Sequence, residues 1–212
     1  MATVRTYCHI KTEVPHQRGF SLLELLLVIG IFVTITTIGL VSYSQFSGRT
    51  LLDNLAYDVA LSIRQAQYYG LSVREQTISG SSFETAYGIY FNASEIASYV
   101  FFADTNRNGE CGSDSSCAGE LIDRFFLGRG YVVSDLCATK PGGTKRCMST
   151  GELTYLAISF DRPDPDAIFR TDFTGEVYEE VTITVRAPKG REQNISVAST
   201  GQIAVGSGVL SP

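Results

Sequence analysis

Residues 20–48 read FSLLELLLVIGIFVTITTIGLVSYSQFSG and contain one charged residue, Glu24. Residues 22–41 supply about 20 apolar or small residues, which is ~30 Å of helix and matches the hydrocarbon core of a bilayer. An ordinary secretory signal has a shorter apolar run followed by a small-x-small cleavage site. The stretch therefore predicts a membrane-spanning helix near the N-terminus.

The charges on the two sides of this stretch differ in sign. Residues 1–19 contain three basic residues and one acid, a net charge of +2, while the whole chain carries -5, which leaves -7 for the remainder. A basic flank before the span and an acidic bulk after it predict that the N-terminus lies on the cytoplasmic side. The acidic remainder also disfavours nucleic acid and anionic lipid headgroups as partners.

A short motif lies at the junction between the polar and apolar parts. Arg18 is followed by Gly19, Phe20, Ser21, two leucines and Glu24. This order resembles the prepilin processing motif of type IV pilin-like proteins: a Gly, a hydrophobic residue, a small hydroxyl residue, apolar residues, and a Glu five places after the Gly. The resemblance implies that a membrane aspartic peptidase cuts between Gly19 and Phe20 and that Phe20 is then N-methylated. The alternative is a plain signal anchor in which the position of Glu24 is accidental.

Glu24 needs a physical reason, because a carboxylate one turn into a membrane helix is unfavourable without a partner. The resemblance implies that it pairs with the N-terminal amine of a neighbouring subunit. In a medium of low dielectric constant such a pair is attractive and directional, so it can fix the axial register of stacked subunits.

The pattern after the apolar run indicates a helix that continues and then a β-rich domain. The apolar and small residues Leu52, Leu55, Val59, Ile63, Ala66 and Gly70 recur at spacings of three and four, as on one face of a helix. From about residue 85, short β-rich runs alternate with turn formers, and Val181, Ile183 and Val185 alternate with polar residues. We predict an α+β fold, in which a long N-terminal helix, membrane-spanning in its first half, packs against an antiparallel, β-rich, pilin-like head. The expected parts are a leader at 1–19, a transmembrane and assembly helix at 20–48, an amphipathic continuation at 49–76, and an extracytoplasmic head at 77–212.

The predicted strands are eight. They are residues 86–91, 96–103, 120–127, 131–133, 153–160, 177–187, 194–199 and 202–205.

Four pieces of the head resemble the GspH/FimT-like minor pseudopilins and minor pilins. They are SIRQAQYYGLSVRE at 62–75, FFADTNRNGE at 101–110, ISFDRPDP at 158–165 and ISVASTGQIAV at 195–205. Together with the N-terminal motif, the resemblance extends from residue 19 to about residue 205.

The five cysteines are divided by the apolar run, with Cys8 before it and four after it. An even number on the extracytoplasmic side fits disulfides in an oxidising compartment. Cys111 and Cys117 share one loop, and Cys137 and Cys147 flank another, so we expect each pair to bond and fix its loop. Zinc is the alternative, but neither pair has the spacing of a zinc knuckle, and both histidines lie in the leader.

One loop resembles part of a calcium-binding sequence. Asp104, Asn106, Asn108 and Gly109 match its first, third, fifth and sixth positions, but the twelfth position is Ser115 instead of Glu. Asp114 or Glu120 could replace that ligand. The alternative, which the pattern favours, is a turn in which Asn and Gly adopt positive φ and the Asp caps the backbone.

No pattern in the sequence indicates catalysis or a cofactor. There is no His after His16 and no nucleophile or phosphate-loop motif, so we predict neither an enzyme nor a cofactor. The sequence instead predicts a minor pseudopilin or pilin subunit of a type II secretion pseudopilus or a type IV pilus. Its expected partners are the prepilin peptidase, other pilin or pseudopilin subunits, and the inner membrane.

Two alternatives remain open. One is a DNA-binding minor pilin for natural transformation, and the other is a membrane-anchored surface domain that never assembles. The candidate basic clusters are Lys140 with Lys145 and Arg146, and Arg186 with Lys189 and Arg191. The acidic balance of the head and the absence of interleaved aromatic residues argue against nucleic acid as a partner.

Overall fold

The computed structural model describes residues 19–72, 85–111 and 117–207, and gives only the backbone for residues 41–47. In this part of the chain a single helix, α1 (Leu22–Leu71), precedes ten strands. The chain divides into two compact units, Met1–Gln45 and Phe46–Pro212. The first contains the apolar beginning of α1, and the second contains the rest of α1 and the strands.

The strands are short, as the spacing of turn formers predicts. They are β1 (Ala86–Asn92), β2 (Ser98–Asp104), β3 (Leu121–Phe126), β4 (Val132–Thr139), β5 (Lys145–Cys147), β6 (Tyr155–Phe160), β7 (Ala167–Thr171), β8 (Glu180–Arg186), β9 (Glu192–Ala198) and β10 (Ile203–Ser207).

The strands form two antiparallel sheets of five strands each. Sheet 1 has the order β3-β2-β1-β6-β7, and sheet 2 has the order β10-β9-β8-β4-β5. In β8 the alternation predicted from the sequence is present, since Val181, Ile183 and Val185 are fully buried while Thr182 and Thr184 are partly exposed. The α+β class predicted from the sequence is therefore confirmed.

One face of α1 in the second unit is covered by the sheets. Leu52, Ala56, Val59, Ile63 and Ala66 are almost completely buried in the same core as the inner faces of both sheets. The spacing of these residues by three and four is that of one helix face, so burial of this stripe holds the helix on the sheets. Leu55, predicted from its spacing to lie on this face, is only partly buried. Ala56 was not predicted, because a small residue gives a weak hydrophobic signal.

Contacts of Gly70 and Gln67 fix how closely the C-terminal end of α1 lies against the sheets. A Cβ added at Gly70 would lie 2.3 Å from the carbonyl oxygen of Phe160 in β6. Nearby, the Gln67 amide donates to the carbonyl oxygens of Pro165 and Gly201, each at 3.1 Å. The helix is thus joined both to the turn after β6 and to the turn before β10.

A second, smaller core includes the other face of sheet 1. Tyr90, Val100, Phe102 and Ala157 are buried there together with Cys111 and Cys117. The loop between β2 and β3 therefore helps to bury the apolar side chains of sheet 1 that do not face the helix.

Two of the ten described strands were not predicted from the sequence, and a third was predicted too short. β5 has three residues, too few for an alternating pattern. In β7 burial alternates, but the apolar Ile168 lies on the exposed side, so its sequence AIFRT shows no clear alternation of apolar and polar residues. β4 was predicted to end at Val133 but continues to Thr139. Its pairing with β8 shifts register between Val133 and Asp135, so the alternation of apolar and polar residues is interrupted at that point.

The contact at Gly70 gives a test of how α1 lies on the sheets. Gly70→Ala should lower the free energy of unfolding by about 1–3 kcal/mol, because the new methyl group overlaps the Phe160 backbone. Gly48→Ala is the matched control: its Cβ would meet no atom within 4 Å, and Ala is favoured over Gly in a helix by up to ~1 kcal/mol. Denaturant unfolding in detergent, followed by near-ultraviolet circular dichroism, measures the free energy of unfolding of each variant. Equal stability of the two variants would contradict this packing.

Candidate functional site

The helix begins directly after the predicted processing point. The Ser21 side chain accepts a hydrogen bond from the Leu23 backbone N–H at 3.3 Å, and the Ser21 carbonyl accepts the Leu25 N–H at 3.1 Å. Ser21 is therefore the N-cap residue of α1. Ser21 was predicted only as part of the processing motif, although Ser followed three residues later by Glu is a recognised helix-start pattern.

Glu24 lies in the first turn of the helix, three residues after this cap. A carboxylate there interacts favourably with the unpaired backbone N–H groups at the helix N-terminus. Glu24 makes no ion pair with any described residue. Its side chain is exposed.

The segment Leu22–Leu40 is apolar on all sides and is uncovered. Its 19 residues have a mean hydropathy of 2.3, and none of the segment is buried. Its hydroxyl groups are satisfied within the helix, since Thr34, Thr36 and Thr37 donate to the carbonyl oxygens of Ile31, Phe32 and Val33 at 2.7–2.8 Å. By length and composition the segment can cross a membrane, and these hydroxyl groups would not need water.

The four cysteines that follow the apolar segment form two disulfides. Cys111 is bonded to Cys117, and Cys137 is bonded to Cys147. These are the pairs that the sequence analysis expected. Asp135 lies beside the second bond, with one carboxylate oxygen 3.4 Å from the Cys137 sulfur. Because both sulfurs are used in the disulfide, this cluster has no thiolate to offer a metal.

The loop after β2 is built around the side chain of Asp104. One carboxylate oxygen accepts the Asn108 N–H at 3.1 Å, and the other accepts the Gly109 N–H at 2.8 Å. The side-chain oxygen of Asn106 also accepts the Asn108 N–H, at 2.9 Å. Asp104 is almost fully buried, and burial raises the pKa of its carboxyl group, with a further contribution from the nearby charge of Glu120.

Glu120 reaches the same loop from the other side. It is buried, and one of its carboxylate oxygens accepts the backbone N–H groups of Thr105 and Asn106 at 3.0 and 3.3 Å. The two acids thus bind the loop backbone, which is the role the turn interpretation gave to Asp104. The positive φ angles belong to Arg107 and Gly109, so the expectation that an Asn would adopt one was wrong. Asp114 and Ser115 lie outside the described residues.

The first basic cluster is largely neutralised. Glu176 accepts hydrogen bonds from Lys140 at 2.6 Å and from Arg146 at 2.9 Å on both carboxylate oxygens. Tyr178 donates to the same carboxylate at 2.8 Å, and the Arg146 guanidinium lies 3.9 Å from the centre of the Phe173 ring. Hydrogen bonds from Arg146 and then Lys140 lower the pKa of Glu176 to about 2. These contacts join the β4–β5 hairpin to the segment before β8.

The second basic cluster lies at the hairpin between β8 and β9. Arg186, Lys189 and Arg191 are exposed, and Arg186 is paired across the hairpin with Glu192. The cluster is small and has an acid within it. It offers little of the concentrated positive surface that DNA binding requires.

A comparison with known protein families identifies one segment of the chain. A model described as the prokaryotic N-terminal methylation motif matches residues 15–40. The chain therefore carries the N-terminal motif of type IV pilin-like proteins. The matched residues are 15–40 alone, so the GspH/FimT-like branch suggested by the head is not identified. No curated protein and no solved structure matches the chain significantly.

The Glu176 cluster predicts a specific dependence of stability on pH. The pKa is about 2 in the folded protein and about 4.5 ordinarily, so the carboxylate stabilises the fold above about pH 4.5 and loses this effect as the pH falls towards 2. Glu176→Gln should lower the unfolding midpoint at pH 7, and its difference from wild type should shrink between pH 4.5 and pH 2. Glu179→Gln is the control, because Glu179 is exposed and makes no ion pair among the described residues. A difference for Glu176→Gln that is constant with pH would contradict the role of its charge.

Proposed function

Because an N-terminal methylation motif includes an uncovered apolar helix segment, we propose that this chain is the precursor of a structural filament subunit. It is cut after Gly19, N-methylated on Phe20, and assembled as a minor pseudopilin or pilin into a type II secretion pseudopilus or a type IV pilus. The observation that carries the proposal is the motif match at residues 15–40, which ends with the apolar segment itself.

The geometry at the start of the helix supports processing at this point. Gly19 and Phe20 precede the N-cap Ser21, so the cut would leave a new amine one residue before the cap. Gly19 has no atom within 4 Å of its Cβ position, and a glycine exposes its backbone to a peptidase. After the cut, the positive charge of the amine would lie near Glu24, either in the same subunit or in a neighbour.

The role of Glu24 follows from the cost of an isolated charge in lipid. Before assembly, its carboxylate would lie near the membrane surface, within the first turn of α1. In a filament, where apolar helices replace lipid, pairing with the amine of another subunit would remove the penalty for an isolated charge. This requirement would permit only those axial positions at which the two charges meet.

The proposal places the protein in the inner membrane with one spanning helix. The leader is cytoplasmic and the head is extracytoplasmic, in agreement with the charge asymmetry and with disulfides in the head. The prepilin peptidase and other pilin-like subunits are its partners. The motif is typical of structural proteins, and the proposal includes no enzymatic activity.

Binding of DNA is the competing function, and the contacts of the head do not favour it. Lys140 and Arg146 are engaged by Glu176, and Glu192 lies beside Arg191. Salt bridges of this kind reduce the charge available to neutralise phosphates. The assembly function uses the N-terminal features described above and requires no basic surface.

Processing is tested by mass spectrometry of the mature protein. The expected N-terminus is methylated Phe20, and residues 1–19 should be absent. Gly19→Leu should block cutting, because a bulky side chain would occupy the position where the peptidase must reach the backbone. Gly30→Leu adds the same side chain to the helix beyond the motif's first turn and should be cut normally. Recovery of intact leader on the wild-type protein in cells with an active prepilin peptidase would disprove the proposal.

Assembly is tested at Glu24. Glu24→Ala and Glu24→Gln should insert and be cleaved like wild type, because both remove a charge from the span. Their recovery in sheared filaments should fall by about tenfold or more, the equivalent of ~1.4 kcal/mol in the assembly equilibrium. Leu27→Ala, one turn further on, controls for loss of side-chain volume. If both Glu24 variants enter filaments as wild type does, the charge does not set the register.

A further inference from the structure

The peptide bond at the expected processing point lies just outside α1. Gly19, Phe20 and Ser21 are not helical, and the helix begins at Leu22. Gly19 is exposed, and Phe20 is 83% exposed. The boundary of the helix therefore falls within two residues of the Gly19–Phe20 bond.

Two oxygen atoms compete for the backbone N–H of Leu23. In an α-helix each N–H donates to the carbonyl oxygen four residues earlier, which for Leu23 is that of Gly19. In the structure the side-chain oxygen of Ser21 accepts this N–H instead, at 3.3 Å. The cap therefore occupies the donor with which a longer helix would bind the carbonyl oxygen of the Gly19–Phe20 peptide.

The first backbone bond of α1 shows where an extension of the helix would begin. The Leu25 N–H donates to the Ser21 carbonyl oxygen at 3.1 Å. One further turn would provide backbone partners for the N–H groups that now begin the helix. These groups lie at the start of a segment that can cross a membrane, where an unpaired N–H is costly. Without the cap, extension over the Gly19–Phe20 peptide becomes the way to satisfy them.

The residue types at the boundary favour the shorter helix. Ser is among the best N-cap residues and is less favourable than Ala inside a helix. Gly19 opposes extension as well, because Gly loses more backbone freedom in a helix than any other residue type. Gly19 and Ser21 thus act in the same direction from either side of Phe20.

Removal of the leader requires access to the carbonyl carbon of Gly19. Water adds to this carbon and the C–N bond to Phe20 breaks, which leaves a carboxylate on Gly19 and an amine on Phe20. In a longer helix the oxygen of this carbonyl would be engaged by Leu23, and the adjoining turns would cover the peptide. When a segment opens and closes rapidly, its rate of proteolysis follows the population of the open form.

We propose that Ser21 is a positioning residue for leader removal. Its side-chain oxygen holds the Leu23 N–H and so keeps the Gly19–Phe20 peptide out of the helix and open to the peptidase. The inference rests on the proposed function, in which this peptide is cut. It gives Ser21 a role that needs no direct contact with the peptidase.

Substitutions at Ser21 separate capping from recognition of the side chain. Asn caps a helix as well as Ser does, Thr is somewhat weaker, and Ala and Val are poor caps. The full-length precursor in phospholipid liposomes is mixed with purified prepilin peptidase, and the initial rate of leader removal is measured by mass spectrometry. Ser21→Ala and Ser21→Val should be cut about fivefold more slowly than wild type. Ser21→Asn should be cut at the wild-type rate, and Ser21→Thr at a rate between these two.

The same variants give different results if the peptidase reads the side chain directly. A requirement for a small side chain would leave Ser21→Ala unaffected and slow Ser21→Asn. A requirement for the hydroxyl group would spare Ser21→Thr and slow Ser21→Asn as much as Ser21→Ala. Either result would overturn the proposal. Thr34→Val is the control: it removes a hydroxyl group that bonds within α1, away from the cut, and should be processed normally.

A spectroscopic measurement follows the scissile peptide itself. The precursor is labelled with ¹³C at the Gly19 carbonyl and studied in detergent micelles without peptidase. In Ser21→Ala and Ser21→Val the signal should move towards the value typical of a helix, and in Ser21→Asn it should stay at the wild-type position. A signal that is the same in all of these proteins would show that the cap does not control this peptide.

The outcomes distinguish this role from the proposed function. If the wild-type precursor is not cut between Gly19 and Phe20, the proposed function fails, and the role of Ser21 fails with it. If the wild type is cut there while Ser21→Asn is cut as slowly as Ser21→Ala, only the role of Ser21 is wrong and the proposed function stands.

Discussion

The structure depends on one constraint, the need to remove the apolar segment Leu22–Leu40 from water. None of this segment is buried within the chain. At about 25 cal/mol per Å² of apolar surface, a helix of this length would be very unfavourable in solution. In the proposed function, a bilayer would satisfy this need before assembly, and a bundle of similar helices would satisfy it afterwards. The charge of Glu24 would be satisfied in the same two proposed states, at the membrane surface or beside the amine of another subunit.

The second half of the same helix meets its apolar requirement in a different way. From Leu52 onward one face is covered by two sheets from the same chain, while Tyr57, Leu61 and Tyr68 remain exposed on the other face. A single helix thus carries a largely apolar part, uncovered by the chain, and an amphipathic part. The head supplies the cover that the amphipathic part needs, and the disulfides and the Glu176 cluster hold the loops and hairpins that complete it.

Much of this architecture could be predicted from the sequence because its determinants are local. The apolar run, the motif at Gly19–Glu24 and the alternation in β8 each lie within a few residues. β5 was missed because three residues give no pattern, and β7 because its apolar Ile168 lies on the exposed side of the strand. The cap at Ser21 could have been found from Ser and Glu three residues apart. Glu120 accepts hydrogen bonds from Thr105 and Asn106, and Glu176 accepts them from Lys140 and Arg146. These residues are far apart in sequence, so no local pattern indicates the contacts.

Gln67 and Gly70 have a mechanical consequence. The Gln67 side-chain amide donates hydrogen bonds to the carbonyl oxygens of Pro165 and Gly201, and Gly70 lies against the backbone of Phe160. A pull along α1 would have to break both of these hydrogen bonds and, at the same time, force the helix past the Phe160 backbone. It would also expose the apolar stripe from Leu52 to Ala66. Tensile load applied to the helix would therefore be transmitted to the turns of both sheets together, and the head would resist extraction as one body.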